Sequence, residues 1–140
     1  PVVEKTVTCT EPEVASNEKQ KVQKVYKLYY ANDKVTKLEY TYKNMYAQTV
    51  DPTTDTSYLS AQSTCNRLNS DYANITGYTV TCTEKENTFD VVYAYDLKDF
   101  TNPTQITING QTQTLSSIVN YGDDIETVKG TLTANGATCQ

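Results

Sequence analysis

Two stretches of strictly alternating residues, joined by Asn32-Asp33, constrain this chain more than any other feature. Over 22–31 (VQKVYKLYYA), Tyr26, Leu28 and Tyr30 fall on one face. Over 34–46 (KVTKLEYTYKNMY), Leu38, Tyr40 and Tyr42 share one face, and Lys37, Glu39, Thr41 and Lys43 the other. A period of two belongs to a half-buried strand, and Asn and Asp tolerate the positive φ of a tight hairpin turn. The pattern recurs at 78–84 (YTVTCTE), with Tyr78, Val80 and Cys82 on one face. After Glu86-Asn87 it resumes at 88–95 (TFDVVYAY), with Phe89, Val91, Tyr93 and Tyr95 together. Residues 2–10 also alternate, placing Val3, Val7 and Cys9 opposite Thr6, Thr8 and Thr10. The polar segment 11–21, with Pro12, reads as a loop. Past the Asn102-Pro103 turn, 105–108 reads as a short strand before Asn109-Gly110, and 114–119 as one helical turn.

Between the two hairpins the period changes to that of a helix. Tyr58, Ala61, Cys65, Leu68 and Tyr72 make one stripe over 56–73. Asp55 or Thr56 supplies the cap, and Gly77 lies just past the end. A second, shorter helix over 124–134 would start at an Asp123 cap, turn Ile125, Val128 and Leu132 inward, and end at Gly136. The expected fold is therefore α+β. It is a single domain spanning 1–140, an antiparallel sheet of about five to six strands with the main helix packed on it and a short C-terminal helix. Leu, Ile, Val and Phe together number only 27 in 140 residues, and twelve Tyr supply the missing apolar area. A net charge of only −5 keeps the chain out of the disordered class. VTCTEPE at 7–13 echoes VTCTEKE at 80–86, and similar strand composition accounts for it better than duplication.

The cysteines lie 56, 17 and 57 residues apart, at 9, 65, 82 and 139. Structural zinc favours close pairs, as does catalytic redox chemistry, so disulfides are the preferred reading over metal or free thiols. Cys65 faces inward at mid-helix and Cys82 faces inward on the following strand. Cys9 ends the first strand and Cys139 ends the chain. The expected bridges are Cys65–Cys82 and Cys9–Cys139.

The composition narrows function by exclusion. There is no His, which removes imidazole-based triads and the commonest metal ligand. A single Arg, Arg67, in an acidic chain argues against nucleic acid. No apolar run approaches the ~20 residues of a spanning helix, and the start at Pro1 reads as a trimmed product. The aspartates at 51, 55, 123 and 124 lack calcium-loop spacing and read as turns and caps. Asp90, Asp96, Asp99, Glu84 and Glu86 are the carboxylates a glycoside hydrolase would need, with Asp90 on the exposed strand face. Asn74-Ile75-Thr76 matches a glycosylation acceptor. Tyr29, Tyr30, Tyr40 and Tyr42 are a candidate platform for a sugar or a peptide, with Tyr29 on the opposite face from Tyr30. No cofactor or metal is expected.

The hairpin NDKVTKLEYTY, the helix carrying STCNRL, the hairpin GYTVTCTEKENTFDVVYAY and the closing NGATC resemble, over 4–139, the YehR-like lipoproteins of Gram-positive bacteria. The long segment 11–21 and the four-cysteine framework depart from simpler members. The resemblance implies an α+β extracytoplasmic domain on a lipid-anchored precursor, and supplies no catalytic residue. The expected role is a non-enzymatic cell-surface domain that binds or scaffolds an extracellular protein or a cell-wall component. Its membrane attachment would run only through an upstream lipidated Cys. The alternative is a carrier of a small molecule or glycan in a Tyr-lined cavity, and a carboxylate-based hydrolase is the remote one.

Overall fold

The computed structural model describes residues 2–140, so Pro1 of the expected 1–140 domain lies outside the described residues. The order is β1 (Lys5–Thr10), β2 (Val14–Asn17), β3 (Gln20–Ala31), β4 (Lys34–Tyr46), α1 (Thr56–Asp71), β5 (Tyr78–Lys85), β6 (Thr88–Asp96), β7 (Thr104–Ile108), β8 (Gln111–Leu115), α2 (Ile125–Ala134) and β9 (Thr138–Cys139). The main sheet runs β5-β6-β4-β3-β1-β9, with β2 on β3, every described pairing antiparallel. The fold is α+β, and the two hairpins are β3-β4 and β5-β6. Asn32 and Asp33 (φ 52° and 64°) turn the first, and Glu86 and Asn87 (φ 51° and 63°) the second. Both turns hold two residues in the left-handed region, which matches the right-handed strand twist.

Several expectations change. The segment 11–21 is not a loop: β2 and the first residues of β3 lie in it, and Asn17 Oδ1 accepts the Lys19 N–H (2.8 Å) to close the turn between them. Pro12 stays outside the strand. Strand β1 begins at Lys5, leaving Val3 exposed. Residues 114–119 form no helical turn, because Asn109 and Gly110 (φ 51° and 78°) close a hairpin and 111–115 pair with β7 as a separate two-stranded sheet. The cap of α2 is Asp124, whose carboxylate accepts the Thr127 N–H at 3.1 Å, while Asp123 accepts from the Asn120 N–H in the turn before. Helix α1 is capped by Asp55 and ends at Tyr72, five residues short of Gly77.

One face of the sheet carries the core. Cross-strand partners form rows, each residue directly opposite the next. One runs Val7, Leu28, Leu38, Tyr95, Tyr78; the next runs Cys9, Tyr26, Tyr40, Tyr93, Val80; a third joins Tyr42, Val91 and Cys82. Helix α2 seals the first rows with Ile125, Val128 and Leu132. Helix α1 seals the far end, where Tyr46, Val50, Tyr58, Cys65 and Phe89 form a second cluster. The opposite face is uncovered and carries Thr8, Thr10, Thr79, Thr81 and Thr83, with Lys27 opposite Glu39, Lys37 opposite Asp96 and Lys43 opposite Asp90.

Both expected disulfides are present. Cys65 on α1 joins Cys82 on β5 with Cα atoms 5.3 Å apart, and Cys9 joins Cys139 directly across the β1-β9 pair at 3.9 Å. The four cysteines leave no free thiol among the described residues. Two such bridges fit an oxidising, extracytoplasmic compartment.

Candidate binding cleft

A seam is left open where the two core clusters meet. Helix α1 turns Tyr58, Cys65 and Leu68 toward the sheet, but the flank facing β4 carries Ser57, Ser60, Ala61 and Thr64. These small side chains do not fill the gap to Tyr42, Asn44 and Tyr93, and a cleft of about 470 Å³ results. Tyr42 and Tyr93 also line a second cleft of about 280 Å³ under β8, whose other walls include Tyr40, Tyr72, Tyr78, Tyr95 and Leu115. Both clefts open to solvent, and none of the lining residues is charged.

Rigid aromatic packing positions the tyrosines. Tyr26, Tyr40 and Tyr93 come from three neighbouring strands and stack with centroids 5.0 and 5.6 Å apart and planes 21° and 22° from parallel. The pitch is that of adjacent strands, about 4.8 Å. Tyr72, Tyr78, Tyr95 and Phe100 make a second, edge-to-face set. Burial raises the phenols of Tyr40, Tyr78, Tyr93 and Tyr95 above the ordinary 10.0, so they stay neutral donors.

The hydroxyls divide into two groups. Tyr72 donates to Gln113 Oε1 (3.1 Å), Tyr95 to the Ser116 carbonyl (3.4 Å) and Tyr46 to the Ser57 carbonyl (3.3 Å). Tyr58 donates to Glu84, which also accepts from Gln62 Nε2 at 2.9 Å; the two donors hold the Glu84 carboxyl below its usual 4.5. By contrast, Tyr40, Tyr42 and Tyr93 make no side-chain hydrogen bond among the described residues. Their oxygens are also not among the water-excluded orphan atoms. Asn44 accepts from Gln20 Nε2, leaving its own amide N–H₂ undirected toward protein.

The four platform tyrosines do not form one surface. Tyr40 and Tyr42 line the cleft. Tyr30 is on the same face but half-buried against the main cluster, beside a register shift that leaves Thr36 of β4 as the extra residue between Lys37 and Val35. Tyr29 lies on the uncovered face, donates to Glu39, and has the ammonium groups of Lys27 and Lys37 at 5.1 and 5.9 Å from its ring. Tyr72, Tyr93, Asn44 and the α1 flank were missed. Their signal was Tyr40 and Tyr93 at the middle of two alternating strands, but the β4-β6 adjacency that joins them is not written locally.

The carboxylates are dispersed. Asp51 folds back on Thr53 through N–H and hydroxyl contacts of 2.9 and 2.7 Å, and Asp55 and Asp124 cap helices. Asp90 is on the uncovered face but half-buried rather than exposed, since β6 is flanked by both β4 and β5. Its Oδ1 is buried without a partner among the described residues. No group of three or more metal-ligating side chains comes together among the described residues, and none of its helices is long and apolar enough to cross a membrane. Comparison with family models, curated proteins and solved structures finds no match to this chain.

Proposed function

We propose that this chain is a non-enzymatic extracytoplasmic domain of the cell surface that binds its partner in the tyrosine-lined cleft between α1, β8 and the sheet. The observation that carries this reading is the uncharged lining, in a chain where 21% of residues are charged. A pocket with convergent polar groups on a preformed aromatic wall is the usual form of a ligand site, and stacked tyrosines lose little entropy on contact. A catalytic role would need an activated nucleophile or base, and the Ser, Thr and Tyr hydroxyls of the lining have no carboxylate, lysine or imidazole among the lining residues to activate them. The open mouth favours capture of something presented at the surface over enclosed carriage of a free small molecule. The resemblance to the YehR-like lipoproteins adds an upstream lipid anchor, and a cell-wall component or extracellular protein as the partner.

The test is a fragment screen on isotope-labelled, oxidised protein followed by amide chemical shifts. Hits are expected to move residues of 40–46, 57–68 and 91–95 together. Hits confined to the uncovered face, or no hit in the cleft, would overturn the reading.

A further inference from the structure

The chemistry of the cleft narrows what it takes. Three kinds of ligand can be weighed against the same walls. A charged ligand would be desolvated without a countercharge, which is strongly unfavourable. A wholly apolar ligand would cover the Tyr40, Tyr42 and Tyr93 hydroxyls and leave them unpaired; stranding a buried donor costs more than a made bond returns. A ligand rich in neutral hydroxyls meets both conditions. It satisfies the phenols, the Asn44 amide and the Ser60 and Thr64 hydroxyls, and lays its C–H faces on Tyr72, Tyr93 and Leu68.

The cleft beside α2 differs, because carboxylates line it. There, Asp124 caps the helix and lies 3.8 Å from Lys34, and Asp123 holds the Asn120 N–H. On the uncovered face each central acid stands opposite a lysine. Of these three surfaces, only the tyrosine cleft sets free phenols in an uncharged lining.

We infer that the cleft binds a neutral oligosaccharide segment, recognised by the hydroxyls of Tyr40, Tyr42 and Tyr93 across the strands and by the polar flank of α1. This rests on the cleft being the binding site. Tyr42 and Tyr93 are walls of both clefts, so a segment of more than one sugar ring is needed to occupy both.

Labelled, oxidised protein titrated with neutral hexamers of glucose, N-acetylglucosamine and mannose tests it, beside an anionic hexamer of galacturonate and toluene. At least one neutral hexamer is expected to shift residues of 40–46, 57–68 and 91–95 saturably. Tyr42→Phe and Tyr93→Phe keep the ring and lose only the hydroxyl, and each is expected to weaken that hexamer about fivefold or more. Tyr29→Phe, on the opposite face, should leave it unchanged. If toluene or galacturonate moves the cleft and no neutral hexamer does, the ligand class is wrong and the cleft reading stands. If no probe moves the cleft, both fall. A hexamer that binds both Phe variants as tightly as the parent overturns recognition through these hydroxyls.

Discussion

Gly77 and Asp90 are the two residues whose surroundings leave least freedom. Gly77 has φ +73°, and a Cβ there would come 2.6 Å from the Phe100 N and 2.9 Å from the Asp96 carbonyl oxygen. The obstacles are backbone, which cannot swing aside. Gly77→Ala is therefore expected to cost more than ~2 kcal/mol, adding collision to a disfavoured conformation, and a thermal midpoint within a degree of the parent would refute this. Asp90 offers the reverse case. Its Oδ1 is buried without a partner between Lys43 and Thr83, and an unsatisfied buried acceptor costs about 1–3 kcal/mol. Asp90→Thr removes it and places a β-branched residue at a mid-strand site. The expected gain is ~0.5–1.5 kcal/mol, read as a rise of a few degrees in thermal midpoint. A fall would mean that Asp90 is held by Lys43 in solution.

Helix α1 and its clamp are the element-scale question. Cys65→Ala with Cys82→Ala opens a closed loop with a sequence separation of 17, for which chain entropy predicts a loss of ~3 kcal/mol. The protein is still expected to fold, since Tyr58, Tyr46 and Phe89 hold the N-terminal turn of the helix by ring contacts of 4.9 to 6.1 Å. An unchanged denaturation midpoint in the double variant would show that the bridge adds nothing. This helix also marks what was readable beforehand. The Tyr58-to-Tyr72 stripe and its Asp55 cap are local signals, as are both hairpins, whose faces follow from a period of two. Strand β2 escaped because four exposed residues, VASN, carry no buried alternation and are held by pairing with β3. Strand β8 escaped because Gln111–Leu115 is all polar until its last residue. The cleft was half legible. Tyr40 and Tyr42 sit on a readable face, but the neighbours that make them a site come from β6 and α1 through tertiary pairing alone.

For the whole molecule, the tyrosines set an alkaline limit. Burial, then the nearby Glu11, raises Tyr26 to about 12; burial, then the hydrogen bond to Glu84, raises Tyr58 to about 12. The folded protein keeps these protons when the unfolded chain has begun to lose them near 10.0. Stability from these groups is thus full below about pH 10 and is lost as pH rises through 12. Glu84, Asp51 and Asp124 are lowered by hydrogen bonds, so their share is present above the usual carboxylate values and is lost as pH falls through the folded ones. Denaturant midpoints measured across pH should plateau between the two limbs. Stability that grew above pH 10 would contradict the burial of the phenols.

The Cys9–Cys139 bridge has a mechanical consequence. It joins β1 to the last strand across a sequence separation of 130. Tension applied at residues 2 and 140 runs along Lys5–Cys9 of β1, which pairs with β3, and then through one covalent bond, so residues 10–138 lie outside the line of force. Pulled by these ends in a force spectrometer, the oxidised protein should release no more than the segment before Cys9 at forces that rupture ordinary sheets. After reduction, a full unfolding step should appear, releasing up to roughly 450 Å of chain. A domain held by its ends would thus keep residues 10–138 folded under load for as long as the bridge stays oxidised.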